Sequence, residues 1–219
     1  ARMRRKEDQE TQLFEDYISN LEKSNEPPVS DSSRTAVKTL FGGIVVAHLF
    51  VLLSLPPVLL RRGAPFVPTF LRSVEVIFRE APKFVANRPV RKLKFLDLGS
   101  GDGRLVFHAA RSGYAHSIGV ELNPCLHAVA IARKFLNPNY WQSTSFQMGD
   151  MWAVSLCRVD VLAIYGFPTI MDRLATKVER EMQPGSLVIS NVFQVPGWKS
   201  CFSAHNVHFY QIPQCLKKK

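Results

Sequence analysis

A glycine-rich turn between an apolar run and a helical pattern is the feature that most constrains this chain. It has the sequence FLDLGSGDGR at residues 95–104. The apolar run at 93–98 predicts a short buried strand. After the glycines, apolar residues recur at helical spacing: Leu105, Val106, Ala109 and Ala110. The sequence therefore predicts a strand, a glycine loop and a helix, in which backbone amides of the loop and helix can approach a ligand.

The spacing of the glycines narrows the chemistry of that ligand. The loop is G-x-G-x-G rather than the G-x-G-x-x-G of dinucleotide-binding loops, and it contains Asp102 while Asp97 precedes it. Carboxylates oppose a polyphosphate and suit a cationic ligand such as S-adenosylmethionine, which carries a sulfonium and an α-ammonium. The alternative is an ordinary glycine turn of an α/β protein; the flanking strand and helix favour the ligand site.

Two more acidic residues follow predicted strands. Glu121 ends the strand at 117–120, about 20 residues past the glycines, where a carboxylate can bind a nucleotide ribose. Asp150 belongs to a third element at 146–152 and can accept a hydrogen bond from an adenine amino group. One such acid alone is more often a surface charge. Acids at three successive strand ends, Asp97 included, predict one cofactor site.

With these motifs the chain resembles the class I, seven-strand S-adenosylmethionine-dependent methyltransferases. It is most similar to the membrane-anchored mitochondrial protein-lysine methyltransferases of the ATP synthase c subunit and the adenine nucleotide translocase. Beside the glycine loop, the resemblance rests on PFVPT at 65–69, ELNP at 121–124, GDMW at 149–152 and YGFP at 165–168. These motifs indicate a cofactor-binding set: Asp97, Gly99, Ser100, Gly101, Asp102, Glu121, Leu122, Asn123, Asp150, Met151 and Trp152.

The YGFP segment gives the candidate catalytic residues Tyr165, Phe167 and Pro168. It occupies the position where many N-methyltransferases carry Asn/Asp-Pro-Pro-Tyr, and the amide or acid of that motif is missing. Backbone carbonyls and the ring of Tyr165 or Phe167 could hold an amine or its methylated cation instead. The alternative is that both aromatic side chains belong to the core. The sequence singles out no general base.

The resemblance implies an α/β fold, a Rossmann-like class I methyltransferase sheet with an N-terminal transmembrane helix. The helical spacing of apolar residues among the charges of 1–24 adds an amphipathic extension. The predicted order is a charged amphipathic helix (1–24), a linker (25–36), a transmembrane segment (37–60), a connector and helix (61–92), the methyltransferase domain (93–213) and a basic tail (214–219). Further strands are predicted at 159–165 and 186–195, with a helix between them. A seven-strand sheet needs two more strands, but 204–213 suggests only one, a departure from the family pattern.

The N-terminal segments predict a membrane attachment. Residues 40–60 contain no Asp, Glu, Lys or Arg. A helix that starts near Val37 and includes this stretch is long enough to span a bilayer. The alternative is a buried helix of a soluble core. Basic residues such as Arg61 and Arg62 are denser after the segment, so the positive-inside rule puts the catalytic domain in the matrix or cytoplasm. The resemblance implies the mitochondrial inner membrane with a matrix-facing domain.

Composition limits the partners. The chain has a net charge of +10, but no basic patch with interleaved aromatics stands out, so we expect no nucleic acid partner. The four cysteines are Cys125, Cys157, Cys201 and Cys215. They are widely spaced and form no C-x-x-C pair, so no metal site is expected.

Three functions remain open from the sequence. The first is a membrane-anchored protein-lysine N-methyltransferase that uses S-adenosylmethionine on a mitochondrial inner-membrane protein, with the lipid bilayer as a further partner. The second is an accessory subunit of a large mitochondrial membrane complex, attached through residues 1–24. The third is a small-molecule or lipid methyltransferase. Binding of S-adenosylmethionine would distinguish the lysine methyltransferase from the accessory subunit. Methyl transfer to a protein rather than to a lipid or small molecule would distinguish it from the third function.

Overall fold

The computed structural model describes residue 69 and residues 71–85, 88–213 and 215. The expected amphipathic helix (1–24), linker (25–36) and transmembrane segment (37–60) lie outside the described residues. Within the part of the chain that is described, no helix combines the length and apolar character needed to cross a membrane.

Helices and strands alternate through most of the described chain, as the sequence predicts. The helices are α1 (Leu71–Phe84), α2 (Arg104–Arg111), α3 (Pro124–Phe135) and α4 (Pro168–Glu181). The strands are β1 (Lys94–Leu98), β2 (His116–Glu121), β3 (Thr144–Met148), β4 (Val161–Ile164), β5 (Leu187–Asn191), β6 (Phe202–Ala204) and β7 (Val207–Gln211). Short 3₁₀ turns occur at Val90–Lys92 and Pro138–Tyr140.

The strands form one seven-stranded sheet in the order β3-β2-β1-β4-β5-β7-β6. Strands β1 to β5 run parallel, whereas β7 lies antiparallel between β5 and β6. The predicted Rossmann-like α/β sheet is therefore confirmed, with an antiparallel edge. The pairing of Asp97 with Gly119 on one side and Ala163 on the other fixes the register at the centre.

Each face of the sheet buries its own apolar cluster. On one face, Phe95, Ala163 and Ile189 pack with residues of α1 and α2. On the other face, residues of β1, β4 and β5 pack with Met171 and Leu174 of α4. The central strands are buried on both faces, which explains why they are almost continuously apolar in sequence.

The expectation of a single strand at the C-terminal edge is wrong. Two strands, β6 and β7, occupy residues 202–211 because β6 has only three residues and a two-residue loop joins them. Both loop residues, His205 (φ 49°) and Asn206 (φ 61°), have left-handed backbones. That conformation matches the twist of a two-residue hairpin, and asparagine favours it. The sheet therefore keeps the seven strands of the family pattern.

Candidate cofactor and acceptor site

The predicted site residues lie at the carboxyl edge of the sheet. The chain leaves β1 towards β2 and later returns on the opposite side of β1 as β4. In open parallel sheets a ligand-binding crevice forms at such a reversal, beyond the carboxyl ends of the two strands. The glycine loop follows β1 there, and the YGFP segment follows β4.

The glycine loop is folded tightly, and its own chain uses most of its amides. Gly99, Gly101 and Gly103 have φ angles of 80°, 54° and 79°, which side-chain-bearing residues rarely adopt. The amides of Gly99 and Ser100 donate to the Val120 carbonyl, and that of Gly103 donates to the Ser100 carbonyl. A loop with these amides engaged is poorly suited to cradle a pyrophosphate, in agreement with the expectation from its acidic residues.

Glu121 at the end of β2 supports the loop from beneath. Its Oε2 accepts from the Gly101 amide at 2.7 Å, and its Oε1 accepts from the Asn123 amide at 2.8 Å. The residue is buried, and carboxylate oxygens keep further lone pairs for additional donors. Glu121 therefore shapes the glycine loop and has capacity left to bind the hydroxyl groups of a ribose.

Asp97 is the most perturbed acid of the site. It is 4% exposed, and burial, with the nearby charges of Glu121 and Asp102, raises its pKa to about 8. Among the described residues its carboxyl group has no cation in a salt bridge and no hydrogen-bond donor. Such a buried acid has a strong preference for a cationic ligand, because the ligand supplies the missing charge.

Asp102 is oriented by the protein itself. Its carboxylate forms an ion pair with Arg133 of α3 at 2.6 Å and accepts from the Arg104 amide at 3.2 Å. Arg133 also donates to the Asp102 carbonyl at 2.8 Å and lies over the Phe107 ring. Much of the negative charge expected to face the ligand is therefore neutralised, and Asp102 fastens the glycine loop to α3.

Three other predicted site residues, Asn123, Ser100 and Leu122, lie near the ends of β1 and β2. Asn123 caps α3, because its Oδ1 accepts from the amides of Cys125 and Leu126. Ser100 is buried and its hydroxyl lacks a partner among the described residues, and Leu122 is half-buried beside the site.

The GDMW segment lies at the end of β3. Asp150 is exposed, and its Oδ1 accepts from the Trp152 amide at 3.0 Å. Met151 and Trp152 are half-buried against the core, and the Arg173 guanidinium lies 4.1 Å above the Trp152 ring. The segment therefore offers an apolar surface and one free carboxylate oxygen at the same edge of the sheet.

Three aromatic side chains converge beyond β4 and β5. The ring of Phe193 lies 6.4 Å from that of Tyr165 and 5.8 Å from that of Phe167. All three rings are only half-buried, unlike the fully buried aromatics of the core. We call Tyr165, Phe167 and Phe193 the aromatic recess. Pro168, the remaining predicted catalytic residue, is exposed and forms the first turn of α4.

Residues that sequence reasoning did not select complete this edge. Phe193 follows Val192, whose φ of 72° is rare for a β-branched residue. Asn191, at the end of β5, is buried and donates from Nδ2 to the Thr69 hydroxyl at 3.4 Å. Thr69 is the described end of the PFVPT connector, and its carbonyl accepts from Arg104. No motif marks Asn191 or Phe193; only their place after a predicted strand could have indicated them.

Comparison with known proteins gives matches over most of the described chain. Residues 97–202 match the sequence model of the family described as the ANTKMT methyltransferase domain. The chain is 30% identical over 177 residues to the lysine N-methyltransferase of the ATP synthase c subunit from Rattus norvegicus, covering 78% of each chain. It is 32% identical over 165 residues to the adenine nucleotide translocase lysine N-methyltransferase of Mus musculus, covering 72% of this chain and 66% of that protein.

The fold is also similar to that of a solved methyltransferase. A crystal structure of an RNA methyltransferase from Salinibacter ruber, in complex with S-adenosyl-L-homocysteine, superposes with a TM-score of 0.62 and 25% sequence identity. The match covers 70% of this chain and 98% of the bacterial one. The aligned protein thus holds the demethylated form of the cofactor that the acids of the glycine loop predict.

Proposed function

The chain belongs to the family of S-adenosylmethionine-dependent protein-lysine N-methyltransferases that carry the ANTKMT methyltransferase domain, and we propose that it methylates a lysine of a mitochondrial membrane protein while anchored to the inner membrane. One observation carries the choice of cofactor: Asp97 is buried, and no basic side chain of the described chain pairs with it. The names of the two relatives support the choice of acceptor, since they specify the ATP synthase c subunit and the adenine nucleotide translocase.

The cofactor contacts follow from the chemistry of the donors and acceptors. Asp97 would hold the α-ammonium end, and Glu121 would accept hydrogen bonds from the ribose hydroxyl groups. Asp150, Met151 and Trp152 offer a carboxylate and an apolar surface for the adenine, whose amino group is a donor. Gly101 has a φ of 54°, which residues with a side chain rarely adopt, so a substitution there would strain the loop that would hold the ligand.

The chemistry requires a neutral lysine and a dry site. S-adenosylmethionine supplies an activated methyl group, so that a new N–C bond forms at lysine Nζ while the C–S bond breaks and its electron pair stays on sulfur. The ammonium form of lysine has no lone pair, so the acceptor must first lose a proton to solvent; an apolar surrounding favours that loss. The product nitrogen carries the positive charge that the sulfonium has lost.

The aromatic recess suits the charge that develops on the nitrogen. Ring faces attract ammonium groups, and the attraction strengthens when water is excluded. Tyr165 and Phe167 follow β4, the strand beside β1, so they lie at the same edge of the sheet as the glycine loop. We propose that Tyr165 and Phe167 line the acceptor pocket. Pro168 contributes indirectly, because it starts α4 directly after Phe167.

Membrane anchoring belongs to this proposal as well. The uncharged stretch at 40–60 and the following Arg61 and Arg62 support a single span with the catalytic domain on the matrix side. An anchored enzyme remains close to lysines near the membrane surface, which raises the effective concentration of its acceptor.

The proposal can be tested in cells that lack the protein. Expression of the full chain should restore lysine methylation of the ATP synthase c subunit or the adenine nucleotide translocase, measured by mass spectrometry, and Gly101→Arg should not. A deletion of residues 1–24 should leave assembly of the respiratory complexes intact. If the full chain instead restored assembly of the respiratory complexes in these cells without changing lysine methylation, the protein would be an accessory subunit.

A further inference from the structure

We infer that Asn191 is the residue that binds the acceptor nitrogen: its side-chain Oδ1 accepts a hydrogen bond from lysine Nζ during methyl transfer. The inference rests on the proposed function and assigns a substrate-binding role to a residue outside every sequence motif of the site.

The first observation is an unsatisfied acceptor. Asn191 is 3% exposed, and its Oδ1 has no hydrogen-bond donor among the described residues. A buried amide oxygen without a donor is costly, because it has lost its hydration without compensation. At the carboxyl edge of the sheet, a bound ligand can supply the missing donor.

The second observation is the contact that the other end of the amide makes. Asn191 Nδ2 donates to the Thr69 hydroxyl at 3.4 Å, which leaves Oδ1 as the unpaired end. Thr69 is held in turn by Arg104 Nη1, which donates to its carbonyl at 3.1 Å. Arg104 is the first residue of α2, directly after the glycine loop. The orientation of the amide is therefore linked to the loop expected to hold the cofactor.

The third observation is the position of Asn191 on the sheet. Side chains alternate between the two faces of a strand. On β5, Asn191 therefore shares a face with Ile189, and on β1, Asp97 shares a face with Phe95. Ile189 and Phe95 belong to the same apolar cluster, which puts Asn191 and Asp97 on one face of the sheet. Strand β4 lies between them, a spacing of about 10 Å across the sheet. The two residues are too far apart to bind the same atom of a ligand.

The position next to β4 explains why the amide matters. Ser190 pairs with Ile164, so Asn191 and Tyr165 follow at the same level on neighbouring strands. The segment after β4 is YGFP and lacks the amide or acid found there in many N-methyltransferases. An amide at the end of β5 can supply the same acceptor from the adjacent strand. It directs an N–H of the neutral amine and thereby orients the nitrogen lone pair towards the methyl group.

The amide does not act as a base in this scheme. Asn191 holds one N–H of the neutral amine while the N–C bond forms and the C–S bond breaks. The nitrogen then carries a positive charge, and the hydrogen bond to Oδ1 strengthens because its donor is now charged. The proton leaves to solvent after transfer. Since the bond is stronger at the transition state than in the ground state, its loss lowers kcat.

The deciding experiment compares the full-length Asn191→Leu variant with the wild type. The probe is a preparation of mitochondrial membranes from cells lacking the enzyme, with methyl-labelled S-adenosylmethionine as the donor. We expect methyl transfer to fall roughly ten- to a hundredfold, the range for a hydrogen bond to a charged group. Cofactor affinity, measured by calorimetry, should stay within about twofold. The unfolding midpoint should change little, because the loss of the hydrogen bond to Thr69 offsets the removal of an unsatisfied polar oxygen.

The matched control is Ser117→Ala. Ser117 also has a buried hydroxyl without a partner among the described residues, but it lies near the start of β2, away from the carboxyl edge. This variant should keep or raise the unfolding midpoint, and its methyl transfer should equal that of the wild type.

A second variant separates substrate binding from a purely structural role. Asn191→Asp places a carboxylate beside the acceptor and favours its ammonium form, so the pH–rate profile should shift upward by about one pH unit. Wild-type transfer rates and an unshifted profile in both variants would overturn the inference alone. A wild-type enzyme that labels no membrane protein would overturn the proposed function, and the inference with it. A loss of cofactor affinity with normal acceptor kinetics would assign Asn191 to the cofactor instead.

Discussion

At the residue scale, the site carries a conflict between stability and binding in Asp97. A buried carboxyl group without a cationic partner destabilises the ligand-free fold once it ionises, and its pKa of about 8 reflects that penalty. The same carboxylate is stabilised when a cationic ligand arrives. The residue is therefore better explained by ligand binding than by folding.

The Asp97→Asn variant tests this explanation through stability. The folded-state pKa is about 8, above the ordinary value of 3.8. The protonated form is therefore favoured by folding, and its contribution is lost as the pH rises from about 4 to about 8. Asparagine removes the titration, so the ligand-free variant should unfold at a higher temperature than the wild type at about pH 8.5. A lower unfolding temperature for the variant at that pH would contradict the assignment.

Binding of the cofactor should show the matching pH dependence. Below about pH 8, Asp97 must release a proton to accept a cation, so wild-type affinity for S-adenosylmethionine should rise between about pH 6 and about pH 7.5, where the cofactor's α-ammonium remains largely charged. Calorimetry in two buffers of different ionisation enthalpy measures the released proton. Asp97→Asn should bind more weakly and release none, and a wild-type affinity that is flat over this range would refute the role.

Glu121 gives an independent prediction about the ribose. Glu121→Ala removes charged hydrogen bonds worth about 1.5–3 kcal/mol each, and it leaves the Gly101 amide without its acceptor. S-adenosylmethionine should therefore bind at least tenfold more weakly by calorimetry. Glu121→Gln keeps an acceptor oxygen but no charge, so its affinity for S-adenosylmethionine should lie between that of Glu121→Ala and that of the wild type. Unchanged affinity in Glu121→Ala would remove Glu121 from the site.

Local sequence was sufficient for some of these residues and insufficient for others. The placement of Glu121 and Asp97 beside the glycine loop was predictable, because the carboxyl ends of neighbouring parallel strands meet at one edge of the sheet. The pairing of Asp102 with Arg133 was not, since it joins residues 31 positions apart. Asn191 and Phe193 carry no motif, and their importance follows from which strands become neighbours.

At the scale of elements, the approach of β2 to the glycine loop depends on a missing side chain. A Cβ at Gly119 would lie 2.6 Å from Ser100 Oγ and 2.8 Å from the Phe146 ring. Glycine therefore lets the loop and β3 close over β2, which brings Glu121 within reach of the Gly101 amide.

Gly119→Ala should consequently destabilise the protein by about 1–3 kcal/mol, the usual cost of overpacking. The matched control is Gly149→Ala, because a Cβ there meets no atom within 4 Å and the backbone is not left-handed. Denaturant titration of both variants measures the difference. Equal free energies of unfolding would show that β2 and the loop adjust without strain.

The C-terminal hairpin shows where pattern reading is weakest for elements. The parallel strands β1, β4 and β5 were predictable because each is mostly a run of apolar residues next to a helical pattern. Strand β2 was predictable because its short segment SIGV ends in an acid just before a helix. Strand β6 has three residues of mixed exposure, too short to show a period. Its existence depends on pairing with β7 and on the left-handed turn at His205 and Asn206.

At the scale of the whole molecule, the proposed function joins a catalytic domain to a membrane. The anchoring segment at 37–60 is a prediction from hydropathy and charge alone. Alkaline carbonate extraction of mitochondria should leave the full chain in the membrane pellet, whereas a chain starting at residue 61 should be released. Release of the full chain into the supernatant would refute the predicted membrane anchor.

We propose that this chain transfers methyl groups from S-adenosylmethionine to lysine in a mitochondrial membrane protein. The most direct measurement incubates the purified full chain with methyl-labelled S-adenosylmethionine and mitochondrial membranes from cells lacking it, then locates the label by mass spectrometry. We expect methyl groups on lysine Nζ of a membrane protein, and none when Gly101→Arg replaces the wild type. Label confined to lipid or to a small molecule, or no transfer by an enzyme that binds the cofactor, would contradict it.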